Sequence, residues 1–157
     1  MTTYCHPSPV GNLLLSGSES GLFSVTLSTQ KTEFLSVPPA LARCVQQLDE
    51  YFAGNRRTFD LDLDWRDTPD FYQKVWLALL QIPYGTTTSY GALAQKVGNP
   101  KAARAVGLAN GRNRIAIIVP CHRVIGSNGA LTGYAHGLEM KKYLLQLENP
   151  VTQNTLF

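Results

Sequence analysis

Ile115-Ala116-Ile117-Ile118-Val119-Pro120-Cys121-His122-Arg123-Val124 is the stretch on which the reading of this chain turns. Its apolar half has the length and β-branched content of a buried strand or extended segment rather than a helix. Pro120 fixes its own φ and biases Val119 towards extended geometry, so backbone restraint aims the Cys121 side chain. A nucleophile needs such aiming. A free thiol has a pKa of about 8.5 and attacks as thiolate, so it wants a base or a cation beside it; His122 and Arg123 follow immediately. Taken alone, a Cys-His dipeptide favours a buried structural cysteine next to a surface His-Arg pair, and here the surrounding residues overturn that reading.

The bulk of the sequence narrows the choice. At 157 residues the chain can bury a real core in one domain or two small lobes. A hydrophobic fraction of 44% against 16% charged residues excludes a disordered chain, and no apolar run reaches membrane-spanning length. The start, Met1-Thr2-Thr3-Tyr4-Cys5-His6-Pro7, has neither the basic region nor the apolar core of a signal peptide, which predicts a cytoplasmic protein. Three scattered cysteines, Cys5, Cys44 and Cys121, do not form a disulfide framework, in keeping with a reducing compartment and a working thiol. A net charge of +3 permits nucleic-acid binding without proposing it.

Around the central stretch, the pattern predicts an α/β (α+β) protein. Residues 1–66 read as a β-rich domain with one helix. Residues 11–16 and 22–27 are strand candidates joined through Gly17-Ser18-Glu19-Ser20. Leu41, Val45, Leu48 and Phe52 predict a helix over 40–53 that stops at Gly54, and the alternation of Phe59, Leu61 and Leu63 with aspartates predicts a half-buried strand. Residues 67–149 read as a mostly helical domain, followed by a tail over 150–157. Thr68 is placed to cap a helix beginning at Pro69, with Phe71, Val75, Leu79 and Ile82 as its buried stripe. Ser89 can cap a helix over 90–97 closed by Gly98, and Asn99-Pro100 starts another running to about Asn110, which together look like a helix-turn-helix. Met140, Tyr143, Leu144 and Leu147 predict a last helix over 138–148.

Arg104-Ala105-Val106-Gly107 and Asn113 upstream of Pro-Cys-His-Arg-Val, Gly133-Tyr134-Ala135 downstream, and a final helix ending in Glu148 complete an ordered set. With these residues the chain resembles the O6-alkylguanine-DNA alkyltransferases of the bacterial type, from about Leu48 to Glu148. The resemblance implies a ribonuclease-H-like β-sheet lobe with a helix, then a C-terminal lobe carrying the helix-turn-helix. It also implies stoichiometric, suicide transfer of an alkyl group from guanine O6 to Cys121, with O4-alkylthymine as a second candidate substrate and with no cofactor.

By the same carry-over, His122 is the base and Glu148 the carboxylate that holds its tautomer, while Asn113 ties the recognition helix to the active-site segment. Tyr90 and Arg104 match the residues of base flipping: the tyrosine turns the phosphate and the arginine fills the vacated stack. Ala102, Ala105, Gly107 and Asn110 lie on the helix that the family presents to the DNA minor groove, where a degenerate code suits a sequence-indifferent enzyme. Tyr134, Ala135 and His136 form the implied pocket wall, with carbonyls at Cys121 and Val124 accepting from the exocyclic amine of guanine. Two residues depart from the pattern. His136 stands where many members have glycine, and Arg114 where many have proline, so both bear on the shape of the pocket.

Cys5, His6, Cys44 and His122 lack paired ligand spacing, which predicts no metal. The tail Gln153-Asn154-Thr155-Leu156-Phe157 resembles the short peptides that dock on bacterial sliding clamps, although a frayed tail or one packed on its own body is the favoured reading of so short a match. A monomer acting on double-stranded DNA is expected. Two other classes share parts of the pattern. An alkyltransferase-like damage-binding protein keeps the scaffold but lacks the cysteine, and a cysteine hydrolase would use Cys121, His122 and Glu148 for acyl transfer.

Overall fold

In Leu13-Leu14-Leu15-Ser16-Gly17-Ser18, every second residue is buried, the period of a strand with one face on a core. This strand, β2 (Leu13–Ser18), is the middle of an antiparallel sheet with β1 (Thr2–His6) and β3 (Gly21–Leu27), in the order β1-β2-β3. The computed structural model describes residues 1–29, 36–126, 129 and 134–150. They divide into two compact units, Met1–Arg66 with Arg114–Ala116, and Asp67–Asn113 with the chain from Ile117 onward. Among the described residues, no helix is long and apolar enough to cross a membrane.

The expected hairpin is β2–β3, and Gly21 fits its turn for two reasons. Its φ of +129° suits glycine, and a Cβ there would stand 2.8 Å from the Asp62 carbonyl oxygen. β1 was not expected from the sequence, because Thr2 and Thr3 at the sheet edge are exposed and leave no apolar alternation to read. Helix α1 (Pro39–Phe52) packs on the sheet with Leu41, Cys44, Leu48 and Tyr51 buried, so the expected stripe holds at Leu41 and Leu48 while Val45 and Phe52 are only half-buried. The strand expected at Phe59, Leu61 and Leu63 is reduced to one parallel bridge, Leu22 to Leu63. The reason is local. The Gln47 side-chain amide takes both backbone groups of Asp60, donating to its carbonyl at 3.0 Å and accepting from its N–H at 2.9 Å, so a side chain replaces a ladder there.

Arg114 belongs to this first unit. Its backbone carbonyl accepts from Val25 N–H at 2.8 Å, and Ala116 N–H donates to the Val25 carbonyl at 3.0 Å. The Arg114 guanidinium donates to the carbonyls of Phe23, Asp64 and Arg66 and lies 4.1 Å from the centre of the Phe23 ring. Its side chain is therefore occupied with the sheet, a structural use that no spacing in the sequence reveals.

The second unit begins with α2 (Asp70–Leu80), burying Val75, Trp76 and Leu79. Its cap is Pro69 rather than Thr68, whose carbonyl accepts from Gln73 Nε2 at 2.9 Å. Strand β4 (Thr88–Ser89) pairs in parallel with β5 (Val124–Ile125) and leads into α3 (Tyr90–Lys96). Ser89 Oγ accepts from Ala92 N–H at 3.1 Å, the expected N-cap, and Gly98 closes the turn after α3 at φ +88°. Helix α4 (Ala103–Gly111) starts three residues later than Asn99-Pro100 suggested. Asn99 instead makes a turn, its side chain accepting from Lys101 N–H and its carbonyl from Ala102 N–H. Trp76 Nε1 donates to the Ala109 carbonyl at 3.0 Å, fixing α4 on α2.

Helix α5 (Leu138–Glu148) has its predicted bounds but not its predicted face. Met140, Lys141, Leu144, Leu145 and Glu148 are buried, and Tyr143 is exposed. An apolar-stripe reading assigns lysine and glutamate to solvent, so it rotates the buried face away from Lys141 and Glu148.

Replacing Arg114 by alanine removes three hydrogen bonds to carbonyls and the contact with Phe23. We expect a loss of roughly 2 kcal/mol of unfolding free energy, with little recovery in Arg114→Lys because a point charge cannot serve three carbonyls. Urea denaturation measures both, and an alanine variant within about 0.5 kcal/mol of the parent would contradict the assignment.

Candidate active site

The apolar run before Cys121 does not continue as a strand. Only Ile115 bridges, to Val25, and the chain then turns with Ile117 at φ +74°. A β-branched residue in that region costs about 1–3 kcal/mol and persists where the surroundings hold it. Here they do, since every residue from 115 to 119 is buried. Pro120 then leads into a 3-10 turn, Cys121–Arg123, in which Cys121 N–H donates to the Val119 carbonyl and Arg123 N–H to that of Pro120.

That turn presents three side chains in three directions. Cys121 is 4% exposed, and Asn113 Nδ2 donates to its sulfur at 3.1 Å and to the Val119 carbonyl at 2.8 Å. His122 is fully buried, with Nε2 2.7 Å from Glu148 Oε2. Arg123 grips the same carboxylate in a fork, Nε to Oε1 at 2.8 Å and Nη2 to Oε2 at 3.0 Å, and donates from Nη1 to the Ile82 carbonyl at 2.7 Å. The carboxylate places the histidine proton on Nε2. Nδ1 is left as the basic atom, buried and without a hydrogen-bond partner among the described residues.

The electrostatics differ from what the dipeptide alone implied. Burial pushes the Cys121 thiol up, opposed by the Asn113 hydrogen bond, the charge of Lys141 and the Tyr134 hydroxyl. Arg123 is spent on Glu148, so the cation beside the thiol is Lys141, which the sequence reading missed. Lys141 is fully buried, donates to the Val124 carbonyl at 2.7 Å, and is pulled down to about 8 by burial. Burial also holds His122 below the usual imidazole range. For Glu148, burial alone would raise the carboxyl, but its bonds to His122 and Arg123 outweigh it and hold the group well below its ordinary value.

Tyr134 and His136 stand together beside this cluster, ring centres 5.5 Å apart and edge to face. Burial raises the Tyr134 hydroxyl well above its ordinary value, and the neighbouring Cys121 raises it further. His136 is pushed down by burial, and its Nε2 has no partner among the described residues. Ala135 is exposed. The carbonyls of Cys121 and Val124, expected to receive an amine, already accept from Val124 N–H and Lys141 Nζ. Gly133 and Gln153 to Phe157 lie outside the described residues.

On α4, Arg104 and Ala105 are exposed while Ala102 and Gly107 are half-buried. Asn110 is not on the exposed face: it is 4% exposed, with Oδ1 unpartnered among the described residues. Tyr90, half-buried at the start of α3, lies over Gly107, where an added Cβ would meet its ring at 3.7 Å. Among the described residues, no group of three or more His, Cys, Asp or Glu side chains could hold a metal ion.

Comparison with known proteins agrees over nearly the whole chain. Residues 70–150 match the family described as 6-O-methylguanine DNA methyltransferase, DNA binding domain, and residues 1–65 match its ribonuclease-like domain. The chain belongs to the 6-O-methylguanine DNA methyltransferases. It is 53% identical to the methylated-DNA–protein-cysteine methyltransferase of Mycobacterium tuberculosis, covering 90% of this chain and 88% of that one. It is 51% identical to the protein of that name in Methanosarcina acetivorans, covering 90% and 94%. Among solved structures, the M. tuberculosis O6-methylguanine methyltransferase superposes with a TM-score of 0.84 at 51% identity, over 94% of this chain and 92% of that one. The M. tuberculosis protein in complex with DNA gives 0.85 at 50% identity, over 99% and 98%.

The buried cluster carries a pH signature. An unfolded His122 binds its proton near pH 6.5 but the native one only at lower pH, so stability falls as pH drops through about 6.5, by up to about 1.4 kcal/mol per pH unit for that proton. Glu148, depressed in the native state, contributes stability that is present above about pH 4.3 and drains below it. Urea unfolding at pH 7.5, 5.5 and 4 measures the slope, and a flat profile would contradict a neutral buried His122. Glu148→Gln should cost about 3–5 kcal/mol at pH 7.5, because it leaves Arg123 as a buried charge without its partner.

Proposed function

We propose that this protein repairs O6-alkylguanine in DNA by moving the alkyl group onto Cys121, once per molecule. The supporting observation is the sulfur itself, held at 3.1 Å by Asn113 next to a histidine locked at 2.7 Å onto a buried carboxylate. The Cys121 proton passes to His122 Nδ1, directly or through a water, and Glu148 stabilises the imidazolium that forms. The sulfur lone pair then forms the S–C bond as the C–O6 bond breaks. The electron pair leaves with guanine, which takes up a proton. The thioether product offers no route back to a thiol, so the protein is consumed. No cofactor enters this chemistry.

Tyr134, Ala135 and His136 form the base pocket in this reading. DNA enters against α4, through its minor groove. Arg104 and Ala105 are exposed there, and a planar guanidinium can replace an extruded guanine in the stack. Tyr90 at the start of α3 guides the flipped nucleotide. A relative of 50% identity has been solved in complex with DNA, which supports the same partner here. We place the protein in the cytoplasm as a monomer, in keeping with three cysteines that form no disulfide. Docking of Gln153-Asn154-Thr155-Leu156-Phe157 on a sliding clamp rests on the sequence alone. Unchanged clamp binding after its deletion would end that idea.

Intact-mass and peptide mapping after mixing with duplex DNA carrying O6-methylguanine tests the function. One methyl on Cys121, absent in Cys121→Ala, is expected; hydrolysis of a thioester without DNA, or damaged-DNA binding without transfer, would replace the proposal. In the same assay Arg104→Ala should slow repair of duplex by about tenfold or more, since flipping costs a few kcal/mol, while reaction with free O6-methylguanine base stays near the parent rate. Equal losses on both substrates would count against a flipping role.

A further inference from the structure

The outward face of α4 carries more than Arg104 and Ala105. Leu108 and Arg112 are exposed there as well. Arg104, Leu108 and Arg112 follow one another at intervals of four, so they form a single row, each about 6 Å further along the axis than the last. Arg112 keeps to that row because, as the residue closing the helix, its N–H still donates to the Leu108 carbonyl at 3.0 Å. The middle member is the unexpected one. Leu108 is 53% exposed, whereas Val106 and Ala109 on the same helix are buried.

A single surface leucine is ordinary, and Leu77 on α2 is exposed to the same 53%. Leu108 differs in its setting. Between Asp70 and Glu139 the chain has seven lysines and arginines and no acidic side chain. Arg114 is spent on carbonyls and Arg123 on Glu148. That leaves Lys74, Lys96, Lys101, Arg104 and Arg112, all exposed and none in an ion pair among the described residues. A field of one sign suits a polyanion, and the row sets an apolar side chain between two of its cations. That is the composition of a minor-groove wedge, in which cations hold the backbone while an apolar group presses into the duplex.

We propose that Leu108 is an apolar wedge that holds the DNA minor groove open beside the flipped nucleotide, with Arg112 fixing a phosphate beyond it. This deepens, and rests on, the reading of α4 as the surface that meets duplex DNA. A helix with its side chains is about 10–12 Å across and an undistorted minor groove about 6 Å wide, so a leucine on the inserted face forces the groove apart. One helical turn of about 6 Å places that wedge within about two base-pair steps of the stack position that Arg104 fills. Burying the leucine offsets the cost of widening. An aliphatic side chain forms no hydrogen bond with a base edge, so the contact serves DNA of any sequence.

Fluorescence anisotropy with an undamaged duplex, titrated across a range of salt, tests the assignment. Leu108→Ala should bind about tenfold more weakly than the parent with the same salt slope, because the lost group carries no charge. Alanine is the better helix former and the site is exposed, so this variant folds. Leu108→Met should restore most of the affinity, Arg112→Gln should make the slope shallower by about 1, and Leu77→Ala should match the parent. An affinity of Leu108→Ala within about twofold of the parent, or an equal loss in Leu77→Ala, overturns the proposal. Repair is read separately, by mass. Methyl transfer to Cys121 in a protein whose affinity ignores Leu108 removes the wedge and keeps the repair reading; the expected affinities without transfer keep the wedge and remove repair.

Discussion

One buried carboxylate organises the second unit. Glu148 closes α5 and receives His122 at 2.7 Å and Arg123 at 2.8 and 3.0 Å, so two successive residues of the 3-10 turn are tied to one helix end. Taking three ionisable groups out of water is tolerable only when their bonds are well made, and here both carboxylate oxygens are engaged. The neighbouring polar groups extend the anchor. Asn149 Nδ2 donates to the Gly85 carbonyl, and the Tyr84 hydroxyl to that of Leu147. With its two neighbours pinned, Cys121 has little freedom to point elsewhere.

The two buried cysteines show what that arrangement adds. Cys44 packs inside the first unit, and burial alone pushes its thiol up to about 12, which makes it inert at neutral pH. Cys121 is buried as well, yet an amide hydrogen bond, a lysine charge and a tyrosine hydroxyl all oppose the burial. A sulfur kept mostly as thiol but within reach of ionisation suits a protein proposed to react once. Its surroundings are dry, which strengthens each interaction that stabilises the thiolate.

The departures from the family pattern separate on structural grounds. Arg114, where many relatives carry proline, spends its guanidinium on three carbonyls and the Phe23 ring of the first unit. A proline could make none of those bonds, so this chain secures that segment by other means. His136, where many carry glycine, stands against Tyr134 beside the reactive sulfur and brings an imidazole nitrogen that is unpartnered among the described residues. Of the two, His136 is the one that packs against Tyr134.

Local regularities in the chain were enough to read α1, α5, the β2–β3 hairpin and the Ser89 cap, because each rests on period, turn residues or a capping hydroxyl within a few positions. The Pro-Cys-His-Arg-Val motif and its spaced companions likewise pointed to the family without coordinates. Contacts between distant residues decided the rest. Gln47 displaced a strand at Asp60, Ile117 turned where β-branched residues suggested extension, and Asn110 went inward. Lys141 is the clearest case. Nothing in its neighbours marks it as buried, since sequence patterns treat charge as solvent-seeking. Only folding α5 onto the 3-10 turn supplies the carbonyl and the sulfur that make an interior lysine tolerable.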